Sequence, residues 1–421
     1  MLTTLLAESN TSLSVPFLLQ VVIKIGILIG GLMTAAAYFV LLERRMAAWV
    51  QDRRGPNRVG IPLTKVRMFG LGQPLADGVK FIFKEAYTPD HVDRVMYRLA
   101  PISILVAALV VFAVIPFGSV TPPVGESQEP ISLVVIPHFD AGLLFVFALA
   151  EIAVYGVLLG GWASNNKYSF LGGLRSSAQL IAYELPMGLA ILGVVIAGGS
   201  LNLEEIISRQ AETGVWYALA QPLGFIVFVI AAFAEAARLP FDLPECEQEL
   251  VGGYHTEYSG IKLLLFLVAE FLHMITGAFL IAILFLGGWH FWGLTGSGDE
   301  VSWFQAILRI GVLMAKVFVV IVFFMLTRWS WPRFRFDQLM ALAWKIMLPL
   351  GLANFVVVAA VSELRAWSDP NFSSWLWDIG VALPNWIACI VGWLAVAWSG
   401  TLVTDNAPQA NLHPWEVDSQ I

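Results

Sequence analysis

The residues best suited to proton chemistry are carboxylates gathered in one short stretch, EAARLPFDLPECEQELVGGYHTEY (235–258). Only 13% of the whole chain is charged, yet this stretch holds Glu235, Asp242, Glu245, Glu247, Glu249 and Glu257. Pro240 and Pro244 exclude a continuous helix, because proline lacks the backbone N–H and restricts the preceding residue. Apolar segments flank the stretch, so the sequence predicts a bent acidic loop between two membrane helices. Loops of this length are usually functional; the alternative is a solvated loop with ordinary surface carboxylates.

Glutamates also interrupt four consecutive apolar segments, at Glu151, Glu184, Glu235 and Glu270, and His273 follows the last of them by one helical turn. A charge at the bilayer centre costs about 2.5 to 3.5 kcal/mol on insertion scales. Because burial favours the neutral carboxyl, such a group can hold or release a proton inside the membrane. That property is what a proton relay requires, and we interpret the four glutamates as a functional set.

The elements that position these residues follow from composition, since 58% of the 421 residues are hydrophobic. A transmembrane helix needs about 17 to 25 apolar residues. Nine segments meet that requirement: 17–42, 100–118, 142–163, 178–198, 219–237, 261–287, 310–327, 340–361 and 385–403. The sequence therefore predicts an all-α polytopic membrane protein, with the first apolar segment retained as a span rather than cleaved as a signal peptide.

Cysteine and histidine usage limits the chemistry that the chain can perform alone. Cys246 and Cys389 are the two cysteines and form no CxxC pair, so an iron–sulfur ligand set is not expected within the chain. The sequence contains no glycine-rich phosphate loop, and its six histidines show no metal-ligand spacing. We therefore expect no metal site, no cofactor bound by this chain and no nucleic-acid binding; any redox centres belong to partners.

Basic residues set the predicted orientation, because cytoplasmic loops are enriched in Lys and Arg. Nineteen of the 24 fall on the side that holds loops 43–99 and 238–260, whereas Arg209, Arg309 and Arg365 fall on the other. The N-terminus is thus predicted outside and the C-terminus cytoplasmic. The acidic and basic loops share the cytoplasmic side, where their opposed charges can pair. Lys24 and Lys316 lie inside spans near the outer end and can snorkel.

Loop 43–99 is predicted to contain an interfacial helix that begins at Pro74 and runs to about Glu85, since proline suits the first helical position. One face is apolar, with Leu75, Val79, Ile82 and Phe83, and another carries Asp77, Lys80 and Lys84. This pattern is typical of an amphipathic helix lying at the membrane surface on the cytoplasmic side. A surface helix with a routine anchoring face is the alternative.

Four long stretches resemble the H subunit of proton-pumping NADH-quinone oxidoreductase, or respiratory complex I, the homologue of mitochondrial chain 1. They are ERRMAAWVQDRRGPNRVG (43–60), QPLADGVKFIFKE (73–85), AEIAVYGVLLGGWASNNKYSFLGGLRSSAQLIAYELP (150–186) and AEAARLPFDLPECEQELVGGYHTEYSG (234–260). Their order and placement relative to the spans also match, and the resemblance covers about residues 15 to 362.

The resemblance implies a membrane subunit that forms part of a chamber for a lipid quinone, ubiquinone or menaquinone. The quinone opening is expected between the first and sixth spans and the interfacial helix. Electrons would come from FMN and iron–sulfur clusters in partner subunits of the hydrophilic arm. Proton coupling is implied for Asp77, Glu151, Glu184, Glu235, Asp242, Glu245, Glu247, Glu249 and Glu270; the quinone chamber or subunit interface is implied for Glu43, Arg44, Arg53, Arg54, Arg58, Asp77 and Phe241.

Two departures from the family pattern stand out. The link IPLTKVRMFGLG (61–72) is longer than usual, and a C-terminal extension, 363–421, adds a ninth span and a polar tail to an eight-span domain, 1–362. The extension favours a bacterial inner membrane over a mitochondrion. Two other functions remain as alternatives: a membrane anchor in a hydrogenase or formate-linked complex, and a stand-alone secondary transporter.

Overall fold

The computed structural model describes residues 15–60, 69–118, 133–137, 139–242, 251–292, 294–295, 302–367 and 374–399, which form helices joined by turns and contain no strand. The helices are α1 (Val15–Val50), α2 (Gln73–Phe83), α3 (Arg94–Val110), α4 (Gly142–Ala163), α5 (Lys167–Gly198), α6 (Leu203–Thr213), α7 (Tyr217–Ala220), α8 (Pro222–Glu235), α9 (Gly260–Phe285), α10 (Trp303–Ser330), α11 (Phe336–Ala341), α12 (Leu348–Trp367) and α13 (Ser374–Ser399). A π-helical turn, Leu342–Met347, joins α11 to α12.

Each predicted span overlaps a helix, so the all-α membrane architecture is confirmed, although the helical part of the predicted span 100–118 ends at Ala113 and the span 219–237 is divided between α7 and α8. Among the described residues, seven helical segments are long and apolar enough to cross a membrane; α8 and the apolar part of α13, Ala382–Trp398, are shorter. Helix α9 is the most enclosed of the seven and packs against α1, α3, α8 and α10. Because α9 carries Glu270 and His273, both side chains start from the centre of the helix bundle.

The predicted end of the first span at residue 42 was wrong, because α1 continues to Val50. The continuation ERRMAAWV keeps a buried face, with Met46, Ala47 and Ala48 in the core, and packing on that face sustains the helix beyond the apolar segment. Glu43 and Arg44 therefore project from a rigid helix and not from a loop. Helix α5 likewise begins at Lys167, eleven residues before the predicted start at 178, where the Asn166 side chain caps its first turn.

The predicted amphipathic helix is confirmed as α2, with Pro74 in its first turn and its end at Phe83, two residues before the predicted end. Its apolar side chains lie on the surface of the chain; Leu75 is 69% exposed and Phe83 84% exposed. The opposite side of the helix turns Asp77 toward α1. This arrangement fits a helix that rests its apolar face in lipid and keeps a carboxylate directed into the protein.

Glycines let α4 and α5 approach closely. A Cβ on Gly161 would lie 2.7 Å from the Ser169 carbonyl oxygen and 3.1 Å from the Gly173 Cα. On α5, a Cβ on Gly172 would lie 2.7 Å from the backbone of Gly253, in the C-terminal part of the acidic loop. Helix α5 is therefore the surface on which both α4 and the return of the acidic loop are packed.

Candidate functional site

A cavity of about 710 Å³ lies between α1, α2 and α9. Its walls within the membrane are apolar, with Met33, Ala36, Val40, Leu264, Leu267 and Val268 among the lining side chains. Its other end is charged and is lined by Glu43, Arg44, Arg53, Asp77, Arg238, Glu270 and Arg328. A long apolar wall that ends in a cluster of charges suits an amphipathic molecule with a polar head and an apolar tail.

A buried ion network forms the charged end of this cavity. Arg238 Nη1 donates to both carboxylate oxygens of Glu43, at 3.3 and 3.1 Å, and Arg328 Nη1 donates to Glu43 Oε1. The other terminal nitrogen, Arg238 Nη2, lies 3.9 Å from Glu270 Oε2, and the guanidinium stacks over the Phe271 ring at 4.2 Å. Arg238 therefore stands between a carboxylate on α1 and a carboxylate on α9.

A second, more exposed ion pair joins α1 to α2. Arg44 Nη1 donates to Asp77 Oδ2 at 2.6 Å, Gln73 Nε2 donates to Asp77 Oδ1 at 3.2 Å, and Lys80 Nζ lies 3.6 Å from the same Oδ1. The Arg44 side chain is 44% exposed, whereas that of Asp77 is 18% exposed. Asp77 thus anchors the interfacial helix to the end of α1 at the cavity.

A smaller cavity of about 50 Å³ is lined by glutamates from the membrane helices. Its lining includes Glu184, Glu235, Glu270 and His273. A volume of this size has room for at least one water molecule, which needs only about 10 to 15 Å³ on this measure. Glu270 lines both cavities and so forms part of the boundary between the charged end of the large cavity and the glutamate cluster.

Glu151 lies at the far end of this cluster. Its carboxyl interacts with that of Glu184, which also interacts with Glu235. Unlike those two residues, Glu151 is exposed on the surface of the chain, in the middle of α4. The four glutamates therefore extend from the wall of the large cavity to the outer surface of a membrane helix.

The acidic loop is described up to Asp242 and again from Val251. Asp242 is 4% exposed and accepts a hydrogen bond from Arg333 Nη2 at 2.9 Å. Phe241 is buried between Tyr183 and Phe334, with its ring stacked on Phe334 at 5.6 Å. The predicted residues Glu245, Glu247 and Glu249 lie outside the described residues. Arg53 lines the large cavity, whereas Arg54 and Arg58 are exposed beside it.

Sequence reasoning missed the arginines that neutralise these carboxylates. Arg238, Arg328 and Arg333 served only to orient the chain, yet each forms an ion pair with Glu43 or Asp242. Arg238 lies inside the acidic stretch itself, and the other two lie in the short segment after the seventh span. A search for counter-ions to each predicted buried carboxylate would have drawn attention to them, although the pairing depends on contacts between distant helices.

Comparison with known proteins places the chain among respiratory membrane subunits. Residues 23–359 match the family model described as NADH dehydrogenase. The H subunit of NADH-quinone oxidoreductase from Leptospira biflexa is 45% identical over 354 residues, covering 82% of this chain and 95% of the relative. Subunit 8 of the same enzyme in Thermus thermophilus is 47% identical over 345 residues, covering 82% and 87%. An H subunit from Geobacter metallireducens is 44% identical over 342 residues, covering 81% and 96%.

Proposed function

Because the chain belongs to the NADH dehydrogenase family, we propose that it is the membrane subunit of a proton-pumping NADH:quinone oxidoreductase. In this proposal the large cavity binds a lipid quinone, and the buried glutamates couple quinone reduction to proton movement. The observation that carries the proposal is the position of Glu270, which lines both the large cavity and the glutamate cluster. One side chain thereby links a substrate site to an intramembrane acid chain.

The shape and polarity of the large cavity support a quinone as the ligand. A volume of about 710 Å³ falls within the range of about 300 to 1,000 Å³ that is usual for ligand sites. The apolar lining from α1 and α9 is compatible with an isoprenoid tail. The charged end, with Asp77 on α2 and Arg238 between Glu43 and Glu270, provides donors and acceptors for a polar headgroup.

The proposed coupling depends on Arg238, which lies between Glu43 and Glu270. Quinone reduction adds electrons and demands protons, so it changes the electrostatic potential at the charged end of the cavity. Arg238 is 3.9 Å from Glu270, and its attraction to Glu43 competes with its attraction to Glu270. A change near Glu43 therefore alters the balance between ionised and protonated Glu270. Glu270 shares the small cavity with Glu235 and Glu184, and Glu184 also interacts with Glu151, so the electrostatic change extends along these carboxyls.

The rest of the enzyme is assigned to partner subunits. Electrons reach the quinone from FMN and iron–sulfur clusters in the hydrophilic arm, which docks on the cytoplasmic side near the exposed Arg54 and Arg58. Glu151, exposed in the middle of a membrane helix, faces a neighbouring membrane subunit, because lipid alone is a poor environment for a carboxylate. The chain resides in a bacterial inner membrane, with its N-terminus outside and its C-terminus in the cytoplasm.

Purification tests the assignment to this enzyme. The tagged chain is isolated in mild detergent, its companions are identified by mass spectrometry, and NADH-driven quinone reduction is measured on the same sample. We expect flavin and iron–sulfur subunits, together with activity that a quinone-site inhibitor blocks. Isolation of the chain alone, or with a nickel-hydrogenase large subunit, would overturn the proposal in favour of a transporter or a hydrogenase anchor.

Substitution of one glutamate tests the coupling. Glu235→Gln removes the ionisable group at nearly constant volume, so we expect normal assembly but a joint loss of quinone reduction and proton pumping. Glu212→Gln is the control, since Glu212 is an exposed carboxylate on α6 that pairs with Arg209 at 3.4 Å. Wild-type rates in Glu235→Gln would show that this glutamate has no part in coupling.

A further inference from the structure

We propose that Gln179, on α5, is a positioning residue for proton coupling, because its amide holds the backbone turn that presents Glu235 and Arg238 to the two cavities. This inference rests on the proposed function of those cavities. Gln179 is fully buried, with 0% exposure, and lines neither cavity. Its effect on the reaction therefore passes through the turn that it holds.

The two hydrogen bonds of Gln179 define the arrangement. Its Nε2 donates to the carbonyl oxygens of Ala234 and Phe241, each at 2.8 Å. Both partners are acceptors, so the amide nitrogen must point toward them. Ala234 immediately precedes Glu235, and Phe241 immediately precedes Asp242. One side chain thus fixes the end of α8 relative to the start of the acidic loop.

The turn between these two anchors needs such support. Ala237 adopts φ 49°, in the left-handed region that disfavours residues with a Cβ. Arg238 projects from this turn to the ion pair with Glu43 and to within 3.9 Å of Glu270. Movement of the turn would therefore change the distance from Arg238 to both carboxylates at once.

The hydrogen bonds of Gln179 differ from those of the other fully buried glutamine among the described residues. Its Oε1 is buried and lacks a hydrogen-bond donor among the described residues, which is unfavourable for a buried amide. Gln210, a second fully buried glutamine, differs: its Nε2 donates to Ile206 O and Ile283 O, and its Oε1 accepts from Tyr217 N. Gln210 is therefore bonded through both its nitrogen and its oxygen, whereas both hydrogen bonds of Gln179 are made by its Nε2.

Helix α5 also holds the other end of the acidic stretch. Ser169 Oγ donates to the carbonyl oxygens of Gly253 and Tyr254, at 3.3 and 3.2 Å, and Asn166 Nδ2 donates to Glu257 Oε1 at 2.6 Å. Ser169 and Gln179 are separated by about 15 Å along the helix, at 1.5 Å per residue. Both ends of the acidic stretch are therefore fixed to one rigid element, and Gln179 is the anchor on the side of the glutamate cluster.

The test uses the intact membrane-bound complex with Gln179→Met, Gln179→Glu and the control Gln210→Met. Methionine keeps the volume but removes both donors. We expect Gln179→Met to lower kcat for quinone reduction about tenfold with an unchanged quinone KM, because misplacement by about 1 Å can cost up to about 10²-fold. Gln179→Glu should recover activity as pH falls, since a protonated carboxyl donates a hydrogen bond whereas a carboxylate repels the two carbonyl oxygens.

Three results would overturn the inference. They are a wild-type kcat in Gln179→Met, a raised quinone KM with unchanged kcat, and a pH profile of Gln179→Glu that matches that of Gln210→Met. Subunit content on native gels shows whether each variant assembles. Glu235→Gln, assayed in parallel, separates the two proposals: if it is impaired while Gln179→Met is normal, only the positioning role fails, and if it is also normal, the proposed coupling fails.

Discussion

Replacing Glu43 by glutamine should destabilise the membrane domain far more than replacing Asp77 by asparagine, although both residues line the same cavity. Each substitution converts a carboxylate into an amide and leaves an arginine behind. The two sites differ in burial. Around Glu43 the side chains of Arg238 and Arg328 are 9% and 24% exposed, whereas the Arg44 side chain beside Asp77 is 44% exposed.

The magnitude follows from that difference. At the 3.1 Å between Arg238 Nη1 and Glu43 Oε2, the Coulomb attraction is about 5 kcal/mol for an effective dielectric constant of about 20. Desolvation offsets much of it, but removal of one partner of a buried pair costs about 3 to 5 kcal/mol, because the remaining charge stays buried. The pair of Arg44 with Asp77 is partly hydrated, and such pairs contribute about 0 to 1 kcal/mol.

The assay is heat inactivation of the purified complex at a fixed temperature, since unfolding of a multi-subunit membrane enzyme is irreversible and its stability is measured as a rate. The two substitutions should differ by at least about 2 kcal/mol in stability, and only a part of that difference enters the unfolding barrier. Because about 1.4 kcal/mol is tenfold in rate, we expect inactivation about tenfold faster for Glu43→Gln than for Asp77→Asn. Adding Arg328→Met to Glu43→Gln should restore part of the lifetime, because it removes the arginine that loses its ion pair with Glu43, whereas Arg238 still has Glu270 at 3.9 Å.

Equal lifetimes for Glu43→Gln and Asp77→Asn would refute the reasoning, because burial of the counter-ions would then have no energetic consequence. A double variant that is no more stable than Glu43→Gln would show that Arg328 is solvated when unpaired. Residual NADH oxidation with an artificial electron acceptor serves as the control that the hydrophilic arm remains intact during heating.

Three further substitutions test how the fold holds the site. Gly172→Ala would place a Cβ 2.7 Å from the Gly253 backbone. The overlap should destabilise the fold by about 1 to 3 kcal/mol and reduce the assembled fraction on native gels. Full assembly would contradict that close contact. Lys316→Met removes an ammonium that donates to three backbone carbonyls at 2.6 to 2.9 Å. This substitution should lower thermal stability without changing the quinone KM, and a raised KM would contradict a purely structural role for Lys316. Asn385→Leu removes the bond to Ala220 O at 2.9 Å, and faster proteolysis of α13, at a cost of about 1 kcal/mol, is expected; unchanged digestion would assign its attachment to packing alone.

The positions of the helices could be predicted from the sequence, because a membrane-spanning helix requires a continuous run of apolar residues. The helix boundaries were less predictable where packing extends a helix beyond that run. Helix α1 continues through Glu43 and Arg44 because the face that carries Met46 and Ala48 stays buried. No local pattern distinguishes this continuation from a basic loop, since the decisive contacts come from helices far away in the chain.

The same reasoning explains which parts of the site were found. A glutamate within an apolar segment stands out in the sequence itself. Glu151, Glu184, Glu235 and Glu270 were therefore predicted as site residues from residue type and position alone. An arginine at the cytoplasmic end of a helix is ordinary, and nothing local marks Arg238 as the partner of Glu43, which lies 195 positions away along the chain.

Gln179 is still less visible in the sequence, because its importance lies in donating to two backbone carbonyls, at Ala234 and Phe241, and backbone groups leave no trace in a sequence pattern. Charged groups inside a membrane can thus be read from the sequence, whereas the neutral groups that set their distances emerge only from the fold. The coupling proposed for Glu270 depends on both, since Arg238 can respond to a ligand in the large cavity only while the turn that carries it keeps its place.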